Sequence, residues 1–178
     1  VSLPAFLYKP IGFSRKKSVK IISGGQTGVD RAALDAAMDL GLPCGGYCPK
    51  GRKAEDGMIP EKYPLQSVSS ANYRVRTQKN ILEADATLII FKTLLQGGTR
   101  LTVDLCRKHH KPLITIDADA VNLQKAVESL LQFIESNPFC VINVAGPRKS
   151  QWPEGYDYAY EAIYTVLKLL PAQGMTRL

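Results

Sequence analysis

The stretch Val19–Gly41, VKIISGGQTGVDRAALDAAMDLG, reads as a strand, a glycine-rich corner and a helix in immediate succession. Val19–Ser23 is an apolar run of buried-strand length. From Asp30 to Leu40 the residues Ala33, Leu34, Ala37, Met38 and Leu40 fall near one helical face, and Gly41 stops the helix. The corner between them, Ser23-Gly24-Gly25-Gln26-Thr27-Gly28-Val29-Asp30-Arg31, lets a ligand approach the backbone. The N–H groups that open the helix, reinforced by its dipole, favour an anion there. The plainer reading of the same residues is a tight turn with Asp30 as N-cap.

The same alternation continues outward. Tyr73–Ala84 patterns as a helix, Ala86–Phe91 (ATLIIF) as a buried strand, Thr99–His110 as a helix and Leu113–Ile116 as a strand. Asp119–Glu135 reads as a helix, Cys140–Val144 as a strand and Tyr156–Leu170 as the last helix, ended by Pro171. Pro43–Pro64 is loop-rich, with Gly45, Gly46, Gly51 and Gly57. Continuous apolar strands separated by crossover helices imply a mostly parallel sheet with helices on both faces. The expected fold is a Rossmann-like, doubly wound α/β domain over residues 19–170. Residues 1–18 read as a flexible basic arm and 171–178 as a tail.

The chain has 178 residues and a formal charge of +7, with 45% hydrophobic and 22% charged residues. These proportions exclude a disordered chain. No apolar run approaches the roughly 20 residues of a membrane helix. The charge is unevenly spread: Lys9, Arg15, Lys16, Lys17 and Lys20 lie in the first 20 residues with no acid among them. The remainder is close to neutral, so nucleic acid and membrane are disfavoured as partners. Four cysteines are too few for a disulfide scaffold and suit a reducing cytoplasm.

A second corner, Gln96-Gly97-Gly98-Thr99, follows ATLIIF, with Thr99 as a candidate cap and Thr102 one turn in. A third strand end supplies Asn143-Val144-Ala145-Gly146-Pro147-Arg148-Lys149. Doubly wound sheets bind ligands outside the carboxyl ends of their strands. The three corners therefore point to one pocket for a phosphate or oxyanion. Lys50, Arg52, Lys53, Arg74, Arg76 and Arg100 supply bases near that rim in sequence, and Arg suits bidentate oxyanion contacts. Neither a G-x-G-x-x-G nor a P-loop pattern occurs, so ordinary nucleotide sites are unsupported.

The stretches SGGQTGVDRAALD (Ser23–Asp35), GGYCPKGRKAEDGMIPEKYPL (Gly45–Leu65), RTQKN (Arg76–Asn80), GGTRLT (Gly97–Thr102) and NVAGPR (Asn143–Arg148) resemble the molybdenum cofactor carrier family. That family is related to the LOG-type Rossmann-like superfamily. The resemblance runs from about residue 19 to 168. It implies a homo-oligomer, often a tetramer, that binds molybdenum cofactor (molybdopterin) as cargo and protects it. Such a carrier hands the cofactor on in transient contact with recipient molybdoenzymes or cofactor-synthesis proteins. The cofactor's own sulfurs hold the molybdenum, so no protein metal ligands are implied.

On these motifs the binding residues are Gly24, Gly25, Gln26, Thr27, Gly28, Asp30, Arg31, Tyr47, Lys50, Arg52, Arg76, Gly97, Gly98, Thr99, Thr102 and Arg148. Tyr47 stands where the family has a tryptophan and would stack on the pterin.

The rival reading is a LOG-like nucleotide or phosphoribosyl hydrolase, since the second corner is similar to PGGxGTxxE. Thr102 stands where that signature has its glutamate, and the general acid/base is missing from its slot. Asp30, Glu55 or Asp56 would have to substitute. Cys44 and Cys48 have C-x3-C spacing without a second pair, so buried side chains are preferred to zinc ligands. Cys106 and Cys140 read as core, and Trp152 as a cover for the last helix's start or an oligomer contact.

Overall fold

A computed structural model describes residues 19–170; the arm expected over 1–18 and the tail expected over 171–178 lie outside the described residues. Strand β1 (Lys20–Ile22) leads through the first corner into α1 (Val29–Asp39). Five short strands follow: β2 (Cys44–Gly45), β3 (Tyr47–Cys48), β4 (Lys53–Ala54), β5 (Gly57–Met58) and β6 (Gln66–Ser67). Then come α2 (Tyr73–Glu83), β7 (Ala86–Phe91), α3 (Gly97–Lys108), β8 (Leu113–Asp117), α4 (Leu123–Glu135), β9 (Val141–Ala145) and α5 (Gly155–Leu169).

The main sheet has five strands in the order β2-β1-β9-β7-β8, and every pairing is parallel. Its central strand is the last one among the described residues. Counted from β9, the order becomes 3-2-1-4-5, that of a doubly wound sheet whose first strand has moved to the end of the sequence. The switch point of strand order then falls between β9 and β7. At that point Gly146 comes so close to β7 that a Cβ would sit 2.3 Å from the Ile90 carbonyl oxygen.

Helices α1, α4 and α5 cover one face, where Ile21, Leu88, Ile90, Ile142 and Val144 of the sheet are buried. Ala32, Ala33, Ala36 and Ala37 of α1 are fully buried, and their small size lets that helix pack against both sheet and α5. Helices α2 and α3 cover the other face over Ile81, Leu105, Cys106, Ile89, Phe91 and Val103. Helix α1 ends on Gly41, whose φ of +66° only glycine adopts cheaply.

Several boundaries correct the sequence reading. Asp30 is not the N-cap of α1; Gly28 occupies that position with φ of +77°, and Asp30 lies in the first turn. Thr99 does not cap α3, which begins two residues earlier behind Gln96 with no side-chain cap. Helix α4 starts at Leu123, where the Asn122 side chain accepts from the Lys125 N–H; Asp119 lies in the preceding turn. The loop-rich region holds a parallel β3–β6 pair and an antiparallel β4–β5 hairpin. Cys106 is buried, but Cys140 is half-buried rather than core.

Candidate functional site

A cleft of about 140 Å³ opens at the switch point. Lys92, Thr93, Leu94, Gln96 and Thr99 line it from the β7–α3 corner, and Pro147, Gln151 and Trp152 from the β9–α5 loop. Helix α3 presents its N-terminus here. The Thr99 and Arg100 N–H groups return to the Gln96 carbonyl, while the Gly97 and Gly98 N–H groups meet no acceptor among the described residues. A Cβ on Gly98 would touch nothing within 4 Å. Unanswered N–H groups and the dipole favour an anion at this corner.

Thr93 adopts φ of +65°, an outlier for a β-branched residue. Two carboxylates, at the end of β8 and in the turn after it, hold it: its N–H donates to Asp117 Oδ1 at 3.0 Å and its hydroxyl donates to Asp119. Trp152 is buried opposite, packed on Gly155, where a Cβ would lie 2.7 Å from its ring.

The first corner is wired differently. The Gly25 N–H donates to Ser23 Oγ, the Gln26 N–H to Asp30 Oδ2 and the Thr27 N–H to Gln26 Oε1. Three of its donors are thus taken by the chain's own side chains. Arg76, on α2, pairs with the buried Asp30 carboxylate, Nη1 to Oδ2 3.3 Å. Burial pushes the Asp30 carboxyl up, and the Arg76 charge and the Gln26 N–H pull it back. Beside them a polar cavity of about 10 Å³ is lined by Gly24, Arg76, Thr77, Asn80, Thr102 and Asn143. Arg76 Nε is buried there without a partner. Gly24 and Thr102 thus meet across this smaller cavity, while the larger cleft joins the second and third strand ends.

The β4–β5 hairpin ties the first corner to the β9–α5 loop. Asp56 accepts a bidentate pair from Arg31 at 2.5 and 2.8 Å, and the Arg31 hydrogen bond holds its carboxyl below the usual range. Glu55 accepts from Thr27 and Ser150. Tyr47, Lys50 and Arg52 line neither cavity. The Tyr47 hydroxyl donates to Glu83 at 2.5 Å, and Lys79 Nζ stands 4.0 Å from its ring centroid. The Arg52 guanidinium is spent on the carbonyls of Ile59, Leu65, Pro60 and Tyr63 and ties the loop together. Burial pushes the Cys48 thiol up, so it is no ready thiolate.

Lys92, Thr93, Gln151 and Trp152 line the cleft and are not among the binding residues read from motifs, while Glu55, read there as a substitute acid, and its partner Ser150 line neither cavity. The usable signal was the length of the β7–α3 and β9–α5 connections, which at strand ends must border the crevice. Thr102, in the slot of the hydrolase glutamate, is buried and donates to the Gly98 carbonyl at 2.9 Å. Asp104 points to Arg100 at 3.1 Å on the exposed side.

Residues 21–167 match the circularly permutated YpsA SLOG family. The sheet order, with its first strand moved to the end, is that of a circularly permuted doubly wound sheet. A crystal structure described as a putative molybdenum carrier protein from Syntrophus aciditrophicus SB is 42% identical. The match covers 86% of this chain and 99% of that one, with a TM-score of 0.81. No curated protein matches. The chain belongs to the circularly permutated YpsA SLOG family and has a Rossmann-like α/β fold.

Proposed function

We propose that this member of the family is a carrier that binds molybdenum cofactor, or a closely similar phosphate-bearing ligand, as cargo. The observation that carries the reading is the uncapped N-terminus of α3 facing the switch-point cleft. The 42% identical neighbour described as a putative molybdenum carrier supports the choice of ligand. In this reading an anionic end of the cargo sits at Gly97, Gly98 and Thr99 near Lys92. A cleft of about 140 Å³ is smaller than a usual whole-ligand pocket, so the pterin lies across the open rim.

No proton transfer is required of the chain. Thr102 in place of a carboxylate argues against the hydrolase reading, and nucleoside monophosphates should release no free base above background. The carrier is proposed to act in the cytoplasm as a homo-oligomer that meets its recipient enzymes transiently. Four free thiols among the described residues support a reducing compartment. Among those residues no helix is long and apolar enough to cross a membrane.

The deciding experiment loads the full chain and its Gly98→Asp variant with molybdopterin. The wild type should retain cofactor through desalting, and the variant should retain about tenfold less, since a carboxylate would occupy the anion position. Equal retention would remove the basis of this reading.

A further inference from the structure

Glu55, at the tip of the β4–β5 hairpin, lies in a receptor built by two other elements. Its Oε1 accepts from the Thr27 hydroxyl and, at 3.1 Å, from the Ser150 N–H. Its Oε2 accepts from the Ser150 hydroxyl at 2.5 Å, with Arg148 Nε 3.8 Å away. The Lys149 N–H donates to Thr27 Oγ1 at 3.1 Å, which turns the Thr27 proton toward Glu55. A backbone N–H, two hydroxyls and a guanidinium converging on one O–C–O group make a donor set that phosphate also satisfies. Burial pushes the Glu55 carboxyl up, yet the Ser150 and Thr27 hydrogen bonds outweigh it and hold it below its usual range. The occupant is therefore an anion at neutral pH.

The position of this receptor in the fold is the second observation. The loop 146–154 follows β9, the strand from which the Rossmann count begins. In that fold the corner after the first strand is a phosphate-binding corner. Here it holds a carboxylate of the same chain. The hairpin that supplies it is slight: two residue pairs, with Met58 68% exposed and open space beside Gly57.

We infer that Thr27, Arg148 and Ser150 form a phosphate subsite and that Glu55 is its built-in occupant, displaced when a phosphate-bearing ligand arrives. This deepens the carrier reading and rests on it only for the ligand's phosphate. A self-ligand lowers apparent affinity by the fraction of time it fills the site. The hairpin would thus keep abundant small anions out and yield to a ligand that gains further contacts in the neighbouring cleft.

Calorimetric titration with inorganic phosphate and pyrophosphate, on the full chain, tests this. Glu55→Gln should bind either probe about tenfold more tightly than wild type. Adding Ser150→Ala should erase the gain, and Asp56→Asn should not reproduce it. No gain in Glu55→Gln overturns the inference, as does an equal gain in Asp56→Asn, which would mark a general charge effect.

Hydrogen exchange on the wild type provides a readout that needs no variant. Phosphate should speed exchange of the amides of Lys53–Met58, and unchanged exchange overturns the inference. Because these arms use phosphate and not cofactor, their failure would leave the Gly98→Asp result standing, and the reverse holds equally.

Discussion

Arg76 lies over Gly24 so closely that a Cβ on Gly24 would sit 1.3 Å from Arg76 Nη1. The same guanidinium answers the buried Asp30 carboxylate, so the bare glycine and the ion pair form one arrangement. Gly24→Ala should push Arg76 aside, and Arg76→Met should remove it. Either leaves Asp30 buried without its partner, a loss of about 3–5 kcal/mol. With the partner gone, burial raises the Asp30 carboxyl further above its unfolded value. The deficit should then grow as pH rises through the carboxylate range, which denaturant melts at several pH values would register.

The neighbouring glycines of α3 should behave oppositely to each other. Gly98 has open space around it, so Gly98→Ala should stabilise the fold by up to about 1 kcal/mol. Gly97 has φ of +49°, and Gly97→Ala should destabilise by about 1–2 kcal/mol. Urea midpoints with unchanged slopes check both, and confirm that Gly98 variants report on binding rather than folding.

Glu55 and Asp56 both have folded-state values below their unfolded ones. Their stabilisation is therefore complete above the unfolded values and is lost as pH falls through the folded ones. The hairpin should stay fixed at neutral pH and loosen only below about pH 4. Amide exchange of residues 53–58 against pH, measured beside that of β7, would show this; loosening between pH 5 and 8 would contradict it.

Trp152 is the single tryptophan, is buried, and lines the switch-point cleft. Ligand entry should shift or quench its emission, and Trp152→Ala should cost about 3–5 kcal/mol. A cofactor titration that leaves emission unchanged would put the ligand elsewhere.

Most of the scaffold was legible because its signals are local. ATLIIF can only be a buried strand, and the SGGQTG corner announces a strand-to-helix turn. What stayed hidden depends on contacts distant in sequence. Nothing in CVINV says that it enters the sheet between β1 and β7. The Lys53–Met58 hairpin carries no apolar run, so periodicity passes over it. Asp30 has the composition of an N-cap, yet Arg76, on a different helix, draws its carboxylate inward. Asn122, by contrast, was a readable cap that the reading of Asp119–Glu135 overran. Of the motif residues, Thr99 lines the open cleft, whereas Arg52 is consumed by loop carbonyls that no spacing rule reveals.

The place of β9 also has a consequence for how the molecule comes into being. Strands β1 and β7 are not neighbours; each pairs with β9. Until Val141–Ala145 has left the ribosome, β1–β2 and β7–β8 are two fragments with an unfilled slot between them. The helix α5 that packs on α1 and α4 is made later still. Nascent chains stopped before residue 141 should remain protease-sensitive throughout. Chains extended past α5 should close in one cooperative step, because β9, made after the other four strands of the sheet, is its keystone.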